Sequence, residues 1–572
     1  MRFLGKYLSP FKWKMTLGLS IKVAGTVVEL FLPLILTHIL ENVIGEMNIA
    51  KVILYGALMI LCAFAACISN IVANRMASKV SRDFSERMRM DLFERIMYLS
   101  ARDTDRFTIP SLESRVTTDT YNVHNFIGMM QRMGVRAPIL LIGGMIISFA
   151  MDAYLSLVML ATFPLIFITV YSISKKGVPL YSKVQKSVDS MVRVVREDAQ
   201  GIRVIKALSK NDYENRRYDK VNASLSANEK RAGTIMGIVN PVMTLLMNLG
   251  IAGVIALSAY RVHEGKSTAP TVIAFVQYFT LISMAMMALS RMFVMYTKCS
   301  ASARRIGEVI NTPNTYQVTE KLENPDTEYH ISFDNVCFSY FGRRNNLENI
   351  SFKLKKGDSL GVIGATGSGK TTLIRLILRF YDANSGTIKI NGQPISSYSR
   401  EELTSMLGVA LQTDFLYADT VEENIRFGRS ISKEDVERAA KIAQVHDFIM
   451  AKEDGYGHVL SQKGSNLSGG QKQRLLISRA VASQPDILIL DDSSSALDYK
   501  TDAMLRRAIR ESMDKSTVIT VAQRVSSVKD CTLILVLDDG KIIGKGTHEE
   551  LLVSCPEYKE ISDSQMGGAL IE

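Results

Sequence analysis

The sequence predicts an α-helical membrane domain of six transmembrane helices with long cytosolic extensions, fused to an α/β domain. Three observations predict it. Six runs of about 20 mostly apolar residues fall before position 291, each long enough to cross a bilayer. Beyond position 328, short β-branched runs alternate with helical patterns and Gly-rich turns, the signature of an α/β layer. Between them the composition changes near Asn311-Thr312-Pro313-Asn314. The expected division is a membrane domain over 1–310, a linker over 311–328 and a second domain over 329–572.

Whole-chain composition agrees with a hybrid. Of 572 residues, 47% are apolar and 22% charged, and the mean hydropathy of +0.10 is high for a soluble chain and low for one wholly in lipid. The net charge of +11 suits Lys/Arg-rich cytosolic loops. No basic stripe with interleaved aromatics accompanies it, so no nucleic acid is expected as partner. Cys62, Cys67, Cys299, Cys337, Cys531 and Cys555 are scattered, which predicts neither a metal-ligand set nor a disulfide framework. Lys6, Lys12 and Lys14 precede an apolar run too long for a cleavable signal, with no small-residue cleavage site at its end.

The six spans are read at about 16–40, 52–74, 134–152, 153–174, 234–260 and 268–290. Asp152 separates the third from the fourth, a tight outer hairpin. Arg2, Lys6, Lys12 and Lys14 precede span one; Arg75, Lys79, Arg82, Arg87 and Arg89 follow span two; Lys175 and Lys176 follow span four. The opposite loops, Glu41 to Lys51, Asp152, and Arg261 to Lys266, carry few cations, so both termini are expected in the cytosol. In the long connection after span two, Met88, Leu92, Ile96 and Leu99 share one helical face and Arg87, Asp91 and Glu94 another. Spans two to five are therefore expected to continue as helices roughly 30 Å beyond the lipid. Thr108-Ile109-Pro110-Ser111 suits the turn at one tip and the stretch around Gly201 the turn at the other.

Three motifs carry chemistry. Gly364-Ala365-Thr366-Gly367-Ser368-Gly369-Lys370-Thr371 matches the phosphate-loop pattern, with a strand expected over 359–363 and a helix over 372–380. Its glycines let backbone N–H groups face phosphates, Lys370 supplies a point charge, and the Thr371 hydroxyl suits Mg²⁺. Ile487-Leu488-Ile489-Leu490-Asp491-Asp492 is an apolar strand ending in two carboxylates. In phosphate-loop NTPases the first, here Asp491, holds the Mg²⁺ shell. The next position, Asp492, is where a carboxylate orients the attacking water. Leu467-Ser468-Gly469-Gly470-Gln471 opens a helical run over 472–482, an arrangement suited to an anion.

In this order the three motifs resemble those of ATP-binding-cassette (ABC) proteins, and with six preceding spans the whole chain is similar to the exporter branch of that family. The resemblance implies an α/β P-loop ATP-binding cassette, ATP and Mg²⁺ as cofactors, and transport by alternating access. It also implies two cassettes sandwiching two ATPs, each held by one subunit's phosphate loop, with Thr372 beside it, and by the other subunit's signature. Ser468, Gly469, Gly470 and Gln471 would then serve the partner's ATP. Tyr340 sits where an aromatic stacks on adenine, Gln412 at the glutamine loop that senses Mg²⁺, and Ser495-Ala496-Leu497-Asp498 at the D-loop. The segments 104–118 and 200–213 look like the two coupling elements. Gly546-Thr547-His548 resembles a recurrent tail motif with no assigned chemistry.

The departures from the pattern are informative. The family's catalytic carboxylate is usually Glu, where this chain has Asp492. Its switch histidine is replaced by Gln523, and no His lies between His458 and His548. Gln462 stands for a Glu usual before the signature. Both chemical losses fall on this chain's own site, whereas the signature is intact. That pattern resembles the degenerate-site subunit of heterodimeric bacterial multidrug exporters. The expectation is a weakly hydrolysing own site in the bacterial inner membrane, a second half-transporter as partner, and a drug-like or amphiphilic small-molecule cargo. The alternatives are a homodimeric exporter of peptides or lipids and a non-transporting ATP-binding regulator.

In the membrane half, Glu29 lies about 18 Å into span one at helical rise. An intramembrane carboxylate is a substrate-site candidate, and a structural hydrogen bond to a neighbouring helix explains it equally well. Lys22, Arg136 and Arg291, nearer the boundary, are read as snorkelling. Met284, Met286, Met287, Met292 and Met295 suit either an adaptable cargo wall or ordinary packing.

Overall fold

The computed structural model describes residues 2–567 apart from 266, 314, 341, 413, 414 and 494; Lys266 and Asn314 of the sequence reading lie outside those residues. The chain divides into two compact units. Residues up to Tyr98 together with Thr108–Thr312 form the first, and Leu99–Phe107 together with the residues from Pro313 onward form the second.

The first unit holds six helices long and apolar enough to cross a membrane: Phe3–Val43, Ile49–Met97, Ile109–Met151, Ala153–Ala207, Asn211–His263 and Ala269–Ile310. Each covers one of the six expected spans to within one residue. Three of their starts are set by side chains that accept otherwise unpaired N–H groups. Asn48 Oδ1 accepts from Ala50 and Lys51 at 3.1 and 3.3 Å, Asp152 Oδ1 from Tyr154 and Leu155 at 3.0 and 3.3 Å, and Thr268 Oγ1 from Thr271 at 3.4 Å. Asp152 also receives Arg261 Nε at 2.9 Å, which ties the hairpin of spans three and four to the end of span five.

Ile49–Met97 has 49 residues and Ala153–Ala207 has 55, so at 1.5 Å per residue both far outrun a bilayer core of about 30 Å. Past the apolar run of the first, Val80, Phe84, Met88 and Leu92 stay buried at helical spacing. Gly201 does not make a turn. It remains helical, and the chain reverses at Leu208–Lys210, where Ser209 takes a φ of 52°. One interior glycine costs a helix only about 1 kcal/mol, too little to stop one this long. Thr108 does mark a break, with a φ of 63°, and Pro110 follows in the first turn of Ile109–Ser114.

The second unit contains two sheets. Strands β1 (Ile331–Phe338), β2 (Leu347–Leu354), β4 (Ser385–Ile390) and β5 (Gln393–Pro394) form an antiparallel sheet in the order β2-β1-β4-β5. Strands β3 (Ser359–Gly364), β6 (Leu407–Ala410), β7 (Ile487–Asp491), β8 (Thr517–Val521), β9 (Leu533–Asp538) and β10 (Lys541–Gly546) form the other, in the order β10-β9-β3-β8-β7-β6. All neighbours in it run parallel except β10 against β9. Parallel strands are covered on both faces and so read as continuous apolar runs; Leu360, Val362, Ile487, Ile489 and Ile519 are fully buried. Ligands of such sheets sit beyond the carboxyl ends of the strands. Four adjacent strands, β3, β8, β7 and β6, place Gly364, Gln523, Asp492 and Gln412 at or just past those ends.

His330, preceding β1, is buried, and its Nδ1 lies 2.6 Å from Thr517 Oγ1. Burial, reinforced by Lys356 and opposed by Asp486, holds its pKa below the usual 6.5. The folded state therefore disfavours the protonated ring. Its stability is full above pH 6.5 and falls as pH drops below that value toward the folded pKa. Thermal unfolding of the second unit is expected at lower temperature at pH 5.5 than at pH 7.5, with the difference reduced in His330→Gln; equal reduction in both proteins would assign it to other groups.

Candidate functional site

The turn after β3 is built by glycines in conformations other residues avoid. Gly367 has φ 87° and Gly369 φ 105°. A Cβ on Gly369 would lie 2.8 Å from Leu347 Cδ2, and one on Gly364 only 2.1 Å from the Leu537 carbonyl. The turn feeds the helix Lys370–Ile377. Lys370 curls back over it, donating from Nζ to the Gly364 and Ala365 carbonyls at 2.8 and 2.7 Å, with Ser368 Oγ at 3.4 Å. Burial lowers the pKa of Lys370, and the charges of Asp492 and Asp491 oppose the shift. The loop thus carries a positive group fixed at the N-terminus of a helix, where an anion is stabilised.

Asp491 ends β7, buried, with burial and the neighbouring Asp492 raising its pKa and a hydrogen bond from Thr371 lowering it. Asp492 turns away at φ 49°, its N–H bonded to the Val521 carbonyl at 2.9 Å. Its Oδ2 accepts from two side-chain amides, Gln412 Nε2 at 3.2 Å and Gln523 Nε2 at 3.3 Å. Burial raises the pKa of Asp492 as well; Gln412, Lys370 and Arg524 pull it down.

These groups line one cleft of about 270 Å³, together with Thr366, Gly367, Gly369 and Thr372. Gly364, Ala365 and Ser368 are not among its lining residues; the first two accept from Lys370. Tyr340 is not in the wall either. Its ring meets the edges of Phe338 and Tyr381 at 4.8 and 5.0 Å, and its hydroxyl accepts from Arg375 at 3.1 Å and lies 3.3 Å from Thr372 Oγ1. Five lining residues went unnoticed in the sequence, Arg344, Asn345, Asn346, Asp539 and Gly540. Arg344 pairs with Asp539 in the β9–β10 turn, for which Asp539-Gly540 was the available signal. The Thr371 hydroxyl, the Asp491 carboxylate and the Gln412 amide oxygen are hard oxygen donors on one cleft. Mg²⁺ takes one or two such carboxylates and completes its shell with water and phosphate, so the donor set fits it.

The signature lies elsewhere. None of Ser468, Gly469, Gly470 and Gln471 lines the cleft. Ser468 caps the helix Gly469–Val481 in a reciprocal box: its Oγ accepts from Gln471 N at 3.3 Å, and its N–H donates to Gln471 Oε1 at 2.9 Å. The D-loop backs it, with Ala496 O 3.1 Å from where a Gly470 Cβ would stand, and Asp498 caps the next helix by accepting from Thr501 N at 2.9 Å.

Gln565, in the C-terminal helix Pro556–Gly567, is a contact no motif announces. It donates to the Gln523 carbonyl at 2.9 Å and accepts from Val525 N at 2.8 Å, clasping the backbone on both sides of Arg524. Each bond contributes about 1 kcal/mol. Gln565→Ala is expected to speed amide exchange at Val525 by roughly fivefold or more, and unchanged exchange there would show that the clasp is idle.

The segment Leu99–Phe107, which overlaps one expected coupling element, is capped by Ser100 Oγ accepting from Asp103 N at 3.1 Å, and its Asp105 accepts from Tyr381. In the first unit Glu29 is paired: Arg136 reaches it through Nη2 at 2.6 Å and Nε at 3.3 Å. Lys22 does not snorkel. It is 4% exposed and donates to Asn70 Oδ1 at 2.6 Å and Asn74 Oδ1 at 3.1 Å. The methionines divide, Met286 buried and Met284 exposed.

Comparison with known proteins agrees with this architecture. A family model described as "ABC transporter transmembrane region" matches residues 15–286, and one described as "ABC transporter" matches 347–495. The chain is 34% identical to the uncharacterized ABC transporter ATP-binding protein YfiB of Bacillus subtilis, over 98% of both chains. It is 31% identical to an uncharacterized ABC transporter ATP-binding protein of Mycobacterium tuberculosis, over 100% of this chain and 99% of the other. Its fold is that of a bacterial Atm1-family ABC exporter with ATP bound, at TM-score 0.81 and 24% identity, over 96% and 98% of the two chains. The chain therefore belongs to the ABC transporter family, joining a multi-pass membrane domain to an ATP-binding domain of the kind that works with Mg²⁺.

Proposed function

We propose that this chain is the degenerate half of a heterodimeric exporter of drug-like or other amphiphilic small molecules. Its own site binds ATP tightly and turns it over slowly, and its signature completes a competent site on a different chain. The observation that carries the reading is the Asp492 carboxylate, one carbon shorter than Glu and held through one oxygen by two neutral amides. Lys370 and the loop Gly364–Thr372 cradle the phosphates in this reading. Thr371, Asp491 and Gln412 hold Mg²⁺, Tyr340 meets the base, and Asp492 orients water. Gln523 donates a hydrogen bond but no charge, so charge developing on the transferred group is less stabilised.

Mg²⁺ supplies charge neutralisation between the phosphates when bound; everything else is positioning by the chain. In this reading both termini lie in the cytosol of a bacterial cell, an orientation that the Lys/Arg excess supports. The functional division in this reading is a membrane domain over 1–310, a linker over 311–328 and a nucleotide-binding domain over 329–572.

The test is steady-state Mg-ATP hydrolysis by this chain purified alone in lipid. Negligible turnover, restored by a partner half carrying Glu and His at these two positions, is the expected result. Brisk turnover alone would sink the proposal and make Asp492 and Gln523 sufficient in a homodimer. Turnover with a partner but no cargo movement in vesicles would point to a regulator.

A further inference from the structure

The end of the second span carries an excess of positive charge. Arg75, Lys79 and Arg82 recur at helical spacing on one face of Ile49–Met97, and with Ile71, Asn74 and Ser78 they line a wide-open, shallow cleft along that single helix. Two other helices reach the same lining residues. Lys22, from Lys12–His38, donates to Asn74 Oδ1 at 3.1 Å, and Arg132, from Thr120–Met133, reaches Ser78 Oγ at 3.3 Å. Arg136 and Glu29 both stand close to Lys22, with opposing charges.

Three carboxylates sit nearby: Glu29 is taken by Arg136 at 2.6 Å, Asp83 by Arg82 at 2.8 Å, and Glu86 follows Arg82 by one turn on the same face. Among the described residues Lys22, Arg75, Lys79 and Arg132 have no ion-pair partner. Lys22 is the telling one. A cation that merely marks the cytosolic side reaches for water, whereas this ammonium is 4% exposed and held by two neutral amide oxygens. Amides satisfy its hydrogen bonds and leave its charge, and in a low-dielectric setting that charge acts over a longer range.

We propose that this cleft binds the anionic headgroup, phosphate or carboxylate, of an amphiphile whose apolar part lies along the second span. Basic pockets beside membrane helices take lipid headgroups in this way. The same chemistry serves an exported anionic amphiphile or a resident anionic lipid; the cargo version rests on the export function proposed above. Glu29 then has a different part. Bound to Arg136, it is not an open anion for cationic drugs, and it fixes Arg136 at the site's rim.

The test uses the full chain, with its partner half where the complex requires one, in phosphatidylcholine nanodiscs. The probe is dodecyl phosphate, with dodecyltrimethylammonium and dodecyl maltoside as controls of equal tail. Dodecyl phosphate is expected to bind preferentially, and Arg75→Gln/Lys79→Gln/Arg82→Gln to weaken it by about tenfold or more. Lys175→Gln/Lys176→Gln, at another membrane boundary, is expected to leave it unchanged. Equal affinity for the ammonium amphiphile, or equal loss in both variants, would overturn the site. Nanodiscs of phosphatidylglycerol separate the sources. A resident lipid site gives co-purified phosphatidylglycerol by native mass spectrometry and competes with the probe; a cargo site leaves the probe bound and raises ATPase in both lipids. Anion binding intact with no export under any condition would sink the export function and keep the site.

Discussion

Asp492→Glu combined with Gln523→His raises single-turnover hydrolysis at this chain's own phosphate loop by about 10²-fold or more. Two deficits are repaired together. A Glu side chain extends the carboxylate by about one C–C bond, roughly 1.5 Å, and a misplacement of about 1 Å costs on the order of 10²-fold where geometry limits the rate. In the present arrangement Asp492 Oδ2 is shared by Gln412 at 3.2 Å and Gln523 at 3.3 Å. The Gln523 amide is therefore directed at the carboxylate. Histidine at 523 removes that amide from the carboxylate and offers an imidazolium to the transferring group. Asp492→Glu alone is expected to give a smaller gain, because the Gln523 clamp persists. The measurement is release of labelled phosphate with the complementary signature present. A double variant no faster than the parent would show that this chain's own site is limited elsewhere, and the degenerate reading would lose its physical basis.

What the sequence made legible follows from which interactions are local. The phosphate loop and both carboxylates could be placed because strand, turn and helix there are dictated by contiguous residues. Gly367 and Gly369 need positive φ, and β7 is apolar over 487–490 because both of its faces are covered. The Ser468–Gln471 box is likewise a three-residue-range interaction. Reading failed where the partner is distant in sequence. Gln565 meets Gln523 across 42 positions and Lys22 meets Asn70 across 48. Arg136 read alone looked like a snorkelling cation, and only the fold brings it to Glu29 across 107 positions. Gly201 misled for a related reason: a turn signal counts for little inside a 55-residue helix, and Ser209, a poorer turn former, takes the reversal. The assignment of Leu99–Phe107 to the second unit was equally invisible, since nothing local distinguishes that segment from its neighbours in the first.

Gly470→Glu in this chain is expected to lower turnover of the two-chain transporter by at least about 10²-fold, while Asp492→Asn changes it by less than about threefold. The contrast follows from which site each residue serves. Gly470 lies in the first turn of Gly469–Val481, whose N–H groups and positive dipole end suit a phosphate. A Cβ there would stand 3.1 Å from Ala496 O, so the longer side chain is forced outward, toward the position an incoming nucleotide needs, and it carries a negative charge. The lesion falls on ATP held by the partner's phosphate loop. Nucleotide binding at Lys370 should persist, because no signature residue lines that cleft; fluorescent-nucleotide binding to the variant chain alone checks it. Asp492 faces only its own cleft, where slow chemistry makes a further loss small in the total. In a homodimer both variants would disable both sites and the two curves would fall together. Hydrolysis rates of the two reconstituted complexes, measured side by side, thus decide between an asymmetric and a symmetric machine without any knowledge of the cargo.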